Sequence, residues 1–252
     1  MSDALPVKDI IYLEDISVQF GDFKALDNVI FFMSPGELRF LIGPNGAGKT
    51  TLLDVICRKV KESSGRIFFE EKDFLHSRIH TVARMGISRK FQAPSVFPSL
   101  TVRENMELAY PRARGLWHAL SCRFTSGEKR EIEDILKKVN LDGKRDELAS
   151  GLSHGQTQWL EIALTLIQKP KLLLVDEPVA GMTREERTRT GHILRDIAAH
   201  TSVLVVEHDM KFVEEFAQKV TVLHEGRILC EGTFAEISKD PRVLSVYLGR
   251  GE

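Results

Sequence analysis

Residues 38–51 read LRFLIGPNGAGKTT, and this stretch decides how the chain folds. Residues 38–42 are rich in apolar side chains and predict a short strand, while residues 51–60 carry leucine, isoleucine and valine at the spacing of a buried helix. Between them, residues 43–50 fit the pattern G-x4-G-K-[ST]. In a strand, loop and helix of this order, backbone N–H groups and the helix dipole converge on an anion. The stretch therefore predicts a phosphate site at the edge of an α/β sheet.

The loop also offers side chains suited to a nucleoside triphosphate and its metal ion. Lys49 would neutralise the β- and γ-phosphates, and the hydroxyl of Thr50 would bind Mg2+. A glycine-rich turn without a ligand is the alternative, and the flanking strand and helix argue against it. The residues predicted to contact ATP are Gly43, Pro44, Asn45, Gly46, Ala47, Gly48, Lys49, Thr50 and Thr51.

A second stretch, LLLVDE at 172–177, joins an apolar strand to two adjacent acids. Charge beside a buried strand is costly unless a cation or a reaction uses it. Asp176 can hold Mg2+ through water, and Glu177 can polarise an attacking water. Two solvated acids at a strand end is the alternative, and it is the weaker interpretation beside a phosphate loop.

The remaining hydrophobic pattern predicts a parallel α/β core with an antiparallel group of strands near the N-terminus. Residues 202–206 form another apolar run typical of a buried parallel strand. Residues 220–223 and 227–229 flank a Glu-Gly turn and predict a hairpin. Residues 11–20 and 29–33 are strand-like and are separated by turn signals.

A mainly helical insertion is predicted between about residues 93 and 165. Within it, residues 127–139 alternate acidic and basic side chains around apolar positions, which is typical of an amphipathic helix with a solvated charged face. We expect one domain, 1–252, with an ATP-binding core at about 8–92 and 166–252 and a helical subdomain at about 93–165.

Composition argues against several classes of protein. The 252 residues include 35 Lys+Arg and 36 Asp+Glu, and a net charge of −1 gives no support for a general nucleic-acid binder. Three widely spaced cysteines argue against a disulfide scaffold and suit a reducing compartment. Because no apolar run approaches 18 residues and residues 1–10 lack a signal core, we expect a chain that is neither secreted nor membrane-spanning.

Residues 152–156 read LSHGQ, precede a helical pattern and resemble the signature LSGGQ of the ATP-binding cassette (ABC) ATPases. Together with the phosphate loop and the acid pair, the resemblance covers nearly the whole chain. It implies a P-loop NTPase (RecA-like) parallel-sheet core with an N-terminal antiparallel β subdomain and a helical insertion subdomain. It also implies that Ser153, Gly155 and Gln156 bind the γ-phosphate of an ATP held by an opposing subunit, at a helix N-terminus that attracts anions.

The same resemblance assigns three further residues. Gln92 matches a glutamine that senses Mg2+ and contacts the transporter, so it counts among both the catalytic and the metal-binding residues. His208 matches the switch histidine at the γ-phosphate, although a lone histidine is more often structural. Phe20 matches the aromatic residue that stacks on adenine, although by itself it would be interpreted as core.

Two positions depart from the family motifs. His154 occupies the third signature position, where the family pattern has glycine. Its imidazole would lie near the phosphates, or the substitution is a tolerated one at an outward-facing position. Thr183 stands where many members carry an aspartate that links the two nucleotide sites, so the usual communication between sites is in question.

The resemblance implies an ATPase that uses ATP and Mg2+ to power an importer. Two such subunits, identical or related, would meet head to tail at the cytoplasmic face of the inner (plasma) membrane. They would act on two membrane permease subunits, with a solute-binding protein as an indirect partner and no nucleic acid. Residues 152–163, 176–183 and 205–213 resemble the urea importer ATPase most closely, which predicts urea or a short amide as the solute. A branched-chain amino acid importer is the alternative.

Two other functional classes stay open. A soluble ABC ATPase acting on ribosomes or in DNA repair would usually carry two cassettes or a long coiled-coil insertion, and the sequence has neither. A module that holds ATP as a structural ligand without turnover is the second. The set of Lys49, Asp176, Glu177 and His208 argues against it.

Overall fold

The structure is a computed structural model that describes residues 9–89, 96–111 and 124–248. The chain divides into two compact units. The first comprises residues 1–89, 171–178 and 194–252, and the second comprises residues 90–170 and 179–193. The subdomain limits near 93 and 165 stay a prediction, because the second unit also includes residues 179–193.

The described residues of the first unit form two β-sheets from ten strands. The strands are β1 (Ile11–Phe20), β2 (Phe23–Met33), β3 (Leu38–Ile42), β4 (Ser64–Phe69), β5 (Lys72–Asp73), β6 (Ile87–Arg89), β7 (Leu172–Asp176), β8 (Ser202–Val206), β9 (Lys219–His224) and β10 (Arg227–Gly232).

Both units contain helices, and every α-helix of the described residues is short. They are α1 (Lys49–Ile56), α2 (Ile79–Met85), α3 (Val102–Ala109), α4 (Ser126–Lys138), α5 (His154–Leu166), α6 (Arg184–Ala198), α7 (Met210–Phe216), α8 (Phe234–Ile237) and α9 (Pro241–Leu248). Among the described residues, none of these helices is both long and apolar enough to cross a bilayer.

A six-stranded sheet carries the phosphate loop. Its strand order is β10-β9-β3-β8-β7-β6, and all neighbours are parallel except the β9–β10 hairpin. Strand β3 is central, and its five residues are all buried, as expected for a parallel strand covered on both faces. The predicted strands at 38–42 and 202–206 and the predicted hairpin are confirmed.

A second, antiparallel sheet has the order β2-β1-β4-β5. It confirms the predicted antiparallel group near the N-terminus, with residues 29–33 as the end of the longer strand β2. Buried side chains of both sheets and of α1 form one apolar cluster that includes Phe31, Leu41, Leu53 and Leu174. Since burying each such side chain contributes about 1.5–3 kcal/mol, this cluster fixes α1, the helix that the phosphate loop enters.

The second unit is mainly helical. Helix α4 begins with a capping box, in which Thr125 and Glu128 satisfy each other's backbone N–H groups, and it buries Ile132, Ile135 and Leu136. Its bounds, 126–138, confirm the helix predicted at 127–139. The observed architecture is the predicted α/β class, with a parallel core sheet, an antiparallel sheet and a helical unit.

Candidate functional site

The backbone of the phosphate loop follows a path that side chains would block. Gly43, Gly46 and Gly48 have φ values of 153°, 80° and 103°, a range that favours glycine. A β-carbon at Gly43 would overlap the carbonyl oxygen of Leu223, and one at Gly48 would lie 2.6 Å from the carbonyl oxygen of Ala25. The close approach of neighbouring carbonyl groups, together with the turn itself, requires glycine at these two positions.

Lys49 lies at the first position of α1 and folds back over the loop. Its Nζ donates to the carbonyl oxygens of Gly43 (2.7 Å) and Pro44 (3.0 Å). Burial lowers the pKa of Lys49, and the nearby carboxylates of Glu177 and Asp176 oppose that shift. The lysine is therefore partly desolvated in a site that already contains two acids.

Asp176 ends β7 and is held by a buried arginine. The side chain of Asp176 is 4% exposed, and its Oδ2 accepts a hydrogen bond of 3.0 Å from Nη2 of Arg89 at the end of β6. Arg89 also forms an ion pair with Asp54 of α1. The hydrogen bond from Arg89 orients the carboxyl of Asp176, as a metal-binding oxygen requires.

Glu177 follows at the end of the same strand in a strained conformation. Its φ is 46°, in the left-handed region, while its N–H donates to the carbonyl oxygen of Val206 at 2.9 Å. Nδ1 of His208 lies 3.5 Å from Oε1 of Glu177. The side chain of His208 is 63% exposed, and that of Glu177 is 49% exposed. The buried Glu207 accepts the backbone N–H groups of His208 and Asp209, at 2.9 Å and 3.2 Å. The backbone thus presents both Glu177 and His208 to solvent at one edge of the sheet.

The other residues predicted for nucleotide binding in the first unit differ in exposure: Ala47 is buried and Pro44 and Thr51 are half-buried. Phe20 and Phe23 face each other across the β1–β2 turn and are 51% and 62% exposed. Asn45 and Thr50 are also exposed. An exposed aromatic side chain beside a turn suits stacking on a base and is atypical of core. Gln92 lies outside the described residues.

The signature residues begin helix α5 in the second unit. Ser153 is the N-cap residue, and its hydroxyl accepts the backbone N–H of Gln156 at 3.2 Å. Oε1 of Gln156 in turn accepts the backbone N–H of Ser153 at 3.0 Å, which completes a capping box. Gly155 is buried in the first turn. These residues present a helix N-terminus, where orphan N–H groups and the dipole attract anions.

Both departures from the family motifs make local hydrogen bonds, and Thr183 is linked to the signature serine through Glu186. The hydroxyl of Ser153 donates to Oε1 of Glu186 at 2.9 Å, and Oε2 of Glu186 accepts the backbone N–H of Thr183 at 3.0 Å. Nε2 of His154 lies 3.2 Å from the carbonyl oxygen of Ala180. The imidazole therefore has a polar partner within its own unit, a contact that neither interpretation of the sequence included.

Sequence reasoning missed the residues that hold the functional groups. Glu186 could have been noticed as the fourth residue of a T-x-x-E capping pattern starting at Thr183, whereas Arg89 gave no such signal. Tyr247 of α9 left no signal: burial raises its pKa to about 12, opposed by a hydrogen bond with the backbone of Gly43. These contacts join segments far apart in the chain, which a motif search does not register.

The donor groups suit a metal ion that is held together with a nucleotide. Within residues 9–89, 96–111 and 124–248, no group of three or more His, Cys, Asp or Glu side chains could hold a metal ion. Mg2+ usually takes one or two protein oxygens and completes its shell with phosphates and water. The hydroxyl oxygen of Thr50 and the carboxyl oxygens of Asp176 match that requirement in kind and number.

Two protein-family profiles match the sequence. The family described as "ABC transporter" matches residues 26–180. The family described as "Branched-chain amino acid ATP-binding cassette transporter" matches residues 227–252.

Curated relatives match along nearly the whole chain. The sequence is 33% identical over 246 residues to the probable branched-chain amino acid transport ATP-binding protein LivG of Archaeoglobus fulgidus, covering 95% of each protein. It is 30% identical over 249 residues to the high-affinity branched-chain amino acid transport ATP-binding protein LivG of Escherichia coli K12, covering 95% of this chain and 98% of that protein.

Solved structures show the same architecture. The ADP conformation of MJ1267, an ATP-binding cassette of an ABC transporter, gives a TM-score of 0.85 at 30% identity, covering 97% of this chain and 100% of that one. A nucleotide-free ATP-binding cassette from an ABC transporter gives 0.80 at 29% identity, covering 95% and 98%.

Proposed function

This chain belongs to the ABC transporter family, and from that premise we propose that it is the ATP-hydrolysing subunit of an importer for branched-chain amino acids. ABC cassettes are ATPases coupled to transport. The observation that supports hydrolysis in this chain is the meeting of Lys49, Asp176 and Glu177 at one sheet edge, where the carboxylates act on the pKa of the lysine. The support for the solute is the naming of the curated relatives and the profile match at residues 227–252.

The proposed reaction depends mostly on positioning and charge, as in other phosphoryl transfers. The backbone N–H groups of the phosphate loop and Lys49 bind the phosphates, and Phe20 stacks on the base. Bound Mg2+ neutralises phosphate charge and would be held by Thr50, by Asp176 through water, and by Gln92. Glu177 accepts a proton from the attacking water.

His208 and the signature residues complete the proposed site. His208, exposed beside Glu177, contacts the γ-phosphate. Ser153, Gly155 and Gln156 bind the γ-phosphate of an ATP held by an opposing subunit, through the N-terminus of α5. This arrangement needs two subunits that meet head to tail. In the proposed cycle, ATP binding closes the pair and hydrolysis reopens it.

Partners and location follow from the same proposal. The pair, built from two copies or from this chain and a related cassette, acts on two membrane permease subunits at the cytoplasmic face of the membrane. A solute-binding protein delivers the solute, and this chain does not contact it. The charge balance of −1 fits a partner that is protein and gives no reason to include nucleic acid.

Urea is the competing solute. The resemblance of residues 152–163 and 176–183 to the urea importer ATPase favoured it, whereas the relatives named above favour the branched-chain alternative. Solute passes through other subunits, so the site residues of this chain do not discriminate between the two.

Uptake of labelled leucine and labelled urea, in cells that lack this gene, tests the proposal. We expect leucine uptake to fall and to return with the wild-type gene but not with Glu177→Gln or Lys49→Ala. Glu214→Gln, at an exposed position of α7, is the matched substitution that should restore uptake. If only urea uptake is lost, the solute is urea and not a branched-chain amino acid, while the assignment as an ATPase still holds. Full rescue by Glu177→Gln would contradict hydrolysis as the driving step.

A further inference from the structure

We propose that Glu186 is a positioning residue for the signature helix: it holds Ser153 as the N-cap of α5, and with it the helix N-terminus that binds the γ-phosphate, while joining the signature segment, 153–155, to the segment 180–183. This inference rests on the proposed function, in which the γ-phosphate binds at the N-terminus of α5. Glu186 itself touches no reacting atom and acts through Ser153.

The carboxylate of Glu186 bridges the two segments. Oε1 accepts from the hydroxyl of Ser153 at 2.9 Å, while Oε2 accepts from the backbone N–H of Thr183 at 3.0 Å. The backbone N–H of Glu186 donates to the hydroxyl of Thr183 at 3.2 Å. One side chain therefore caps α6 and fixes the hydroxyl that caps α5.

The fit around Glu186 is tight on the side of the signature. A β-carbon at Gly155 would lie 2.5 Å from Cδ and Oε1 of Glu186. Gly155 therefore has a second use besides approach to a phosphate, because its missing side chain gives the carboxylate access to Ser153. Any larger residue at 155 would displace Glu186.

His154 supplies a second link between the same segments. Its Nε2 lies 3.2 Å from the carbonyl oxygen of Ala180, and its ring packs over Gly181, where a β-carbon would lie 3.6 Å from Nε2. The two positions that depart from the family motifs, His154 and Thr183, thus belong to one cluster around Glu186. In this chain the cluster joins the two segments without the aspartate that many members carry at position 183.

The charge state of Glu186 agrees with its use as an acceptor. The backbone N–H of Thr183 and then the hydroxyl of Ser153 lower the pKa of Glu186, since both donate to the ionised form. A hydrogen bond to a carboxylate is stronger than one between neutral groups, so the hydroxyl of Ser153 is held in one orientation. The serine oxygen keeps that orientation as the N-cap of α5, with a lone pair committed to Gln156.

A double-mutant cycle on steady-state ATP hydrolysis by the full chain tests the proposal. Glu186→Ala should lower kcat by about 10-fold, because the N-cap of α5 loses its anchor and the helix N-terminus is misplaced, with little change in KM for ATP because the phosphate loop is intact. In a Ser153→Ala background, Glu186→Ala should have almost no further effect. Glu185→Ala, an exposed neighbour on the same helix, is the matched substitution and should leave kcat unchanged.

Two measurements separate positioning from a general loss of structure. Thr183→Ala removes the acceptor of the Glu186 N–H and should lower the melting temperature without the fall in kcat. Glu186→Gln keeps the side-chain volume, and it replaces the alanine variant in the same cycle if that variant has a lowered melting temperature. We expect Glu186→Gln to lower kcat by about 3-fold, and to have no further effect in the Ser153→Ala background.

Equal effects of Glu186→Ala with and without Ser153 would overturn the proposal, and so would a rise in kcat. A Ser153→Ala variant with normal kcat would overturn it together with the proposed phosphate role of the signature. If hydrolysis does not depend on Glu177, the proposed function fails. If hydrolysis depends on Glu177 but Glu186→Ala leaves kcat unchanged, only this inference fails.

Discussion

The phosphate-loop region (residues 43–50 and the acid pair at 176–177) and the signature region (residues 153–159 and 180–190) hold their functional groups by different means. In the first, the path of the backbone decides the site: Gly43 and Gly48 follow a route open only to glycine, and Glu177 stands in the left-handed region. In the second, side chains decide it, since Ser153 and His154 are tied to 180–186 by hydrogen bonds. A site made by backbone geometry tolerates few substitutions of any kind, whereas a side-chain network responds to the loss of particular partners.

The largest effect on hydrolysis should come from Glu177, the proposed general base of the phosphate-loop region. Glu177→Gln keeps the volume of the side chain but removes a general base, so kcat should fall by about 10²–10⁴-fold while ATP still binds. Nucleotide titration and a steady-state ATPase assay measure the two separately. If kcat stays within a factor of three of wild type, Glu177 is not the base.

Backbone control of the phosphate loop predicts a large difference between two similar substitutions. Gly43→Ala places a β-carbon on the carbonyl oxygen of Leu223 and should lower the free energy of unfolding by about 2–4 kcal/mol. Gly46→Ala has open space around its β-carbon and should cost about 1 kcal/mol, from its φ of 80° alone. Urea denaturation measures both. Equal losses would mean that contact with Leu223 does not restrict the loop.

Side-chain control of the signature region predicts a smaller loss from one missing partner. The hydroxyl of Thr190 accepts the indole N–H of the buried Trp159 at 2.8 Å. Thr190→Val preserves shape but leaves that donor unpaired, so the free energy of unfolding should fall by about 1–3 kcal/mol. Thr188→Val, at a half-buried position on the same helix, should cost less. If Thr188→Val lowers the free energy of unfolding more than Thr190→Val does, the hydrogen bond from Trp159 to Thr190 does not stabilise the fold as we expect.

The smallest effect is a pH dependence. Because the pKa of Glu186 is lowered in the folded chain, its contribution to stability is present above its ordinary value of 4.5 and is lost as pH falls through the folded pKa. The difference in melting temperature between wild type and Glu186→Gln should therefore be constant from pH 6 to 8 and shrink below about pH 4.5. A difference that grows on acidification has the wrong sign for this mechanism.

The same contrast explains what could be predicted from the sequence. The phosphate loop, the strands at 38–42 and 202–206 and the acid pair are local patterns, because periodicity and glycine spacing are written in consecutive residues. Arg89 and Glu186 could not be assigned partners that way. Arg89 meets Asp176 only when β6 and β7 pair, and Glu186 meets Ser153 only when α5 and α6 have formed. Local patterns propose candidate site residues, but they do not reveal the residues that hold them in place.

The position of β3 has a consequence for how the chain is made. The N–H of Gly36 donates to Ser202, 166 residues later, and the N–H of Leu38 donates to Gln218, 180 residues later. Strands β1, β2 and β4 of the antiparallel sheet, by contrast, are all synthesised within the first 69 residues. A ribosome that adds 5–20 residues per second releases both neighbours of β3 only about 10–30 s after β3 itself. During that interval the nascent chain carries a complete phosphate-loop motif after a strand whose two pairing partners have not yet been synthesised.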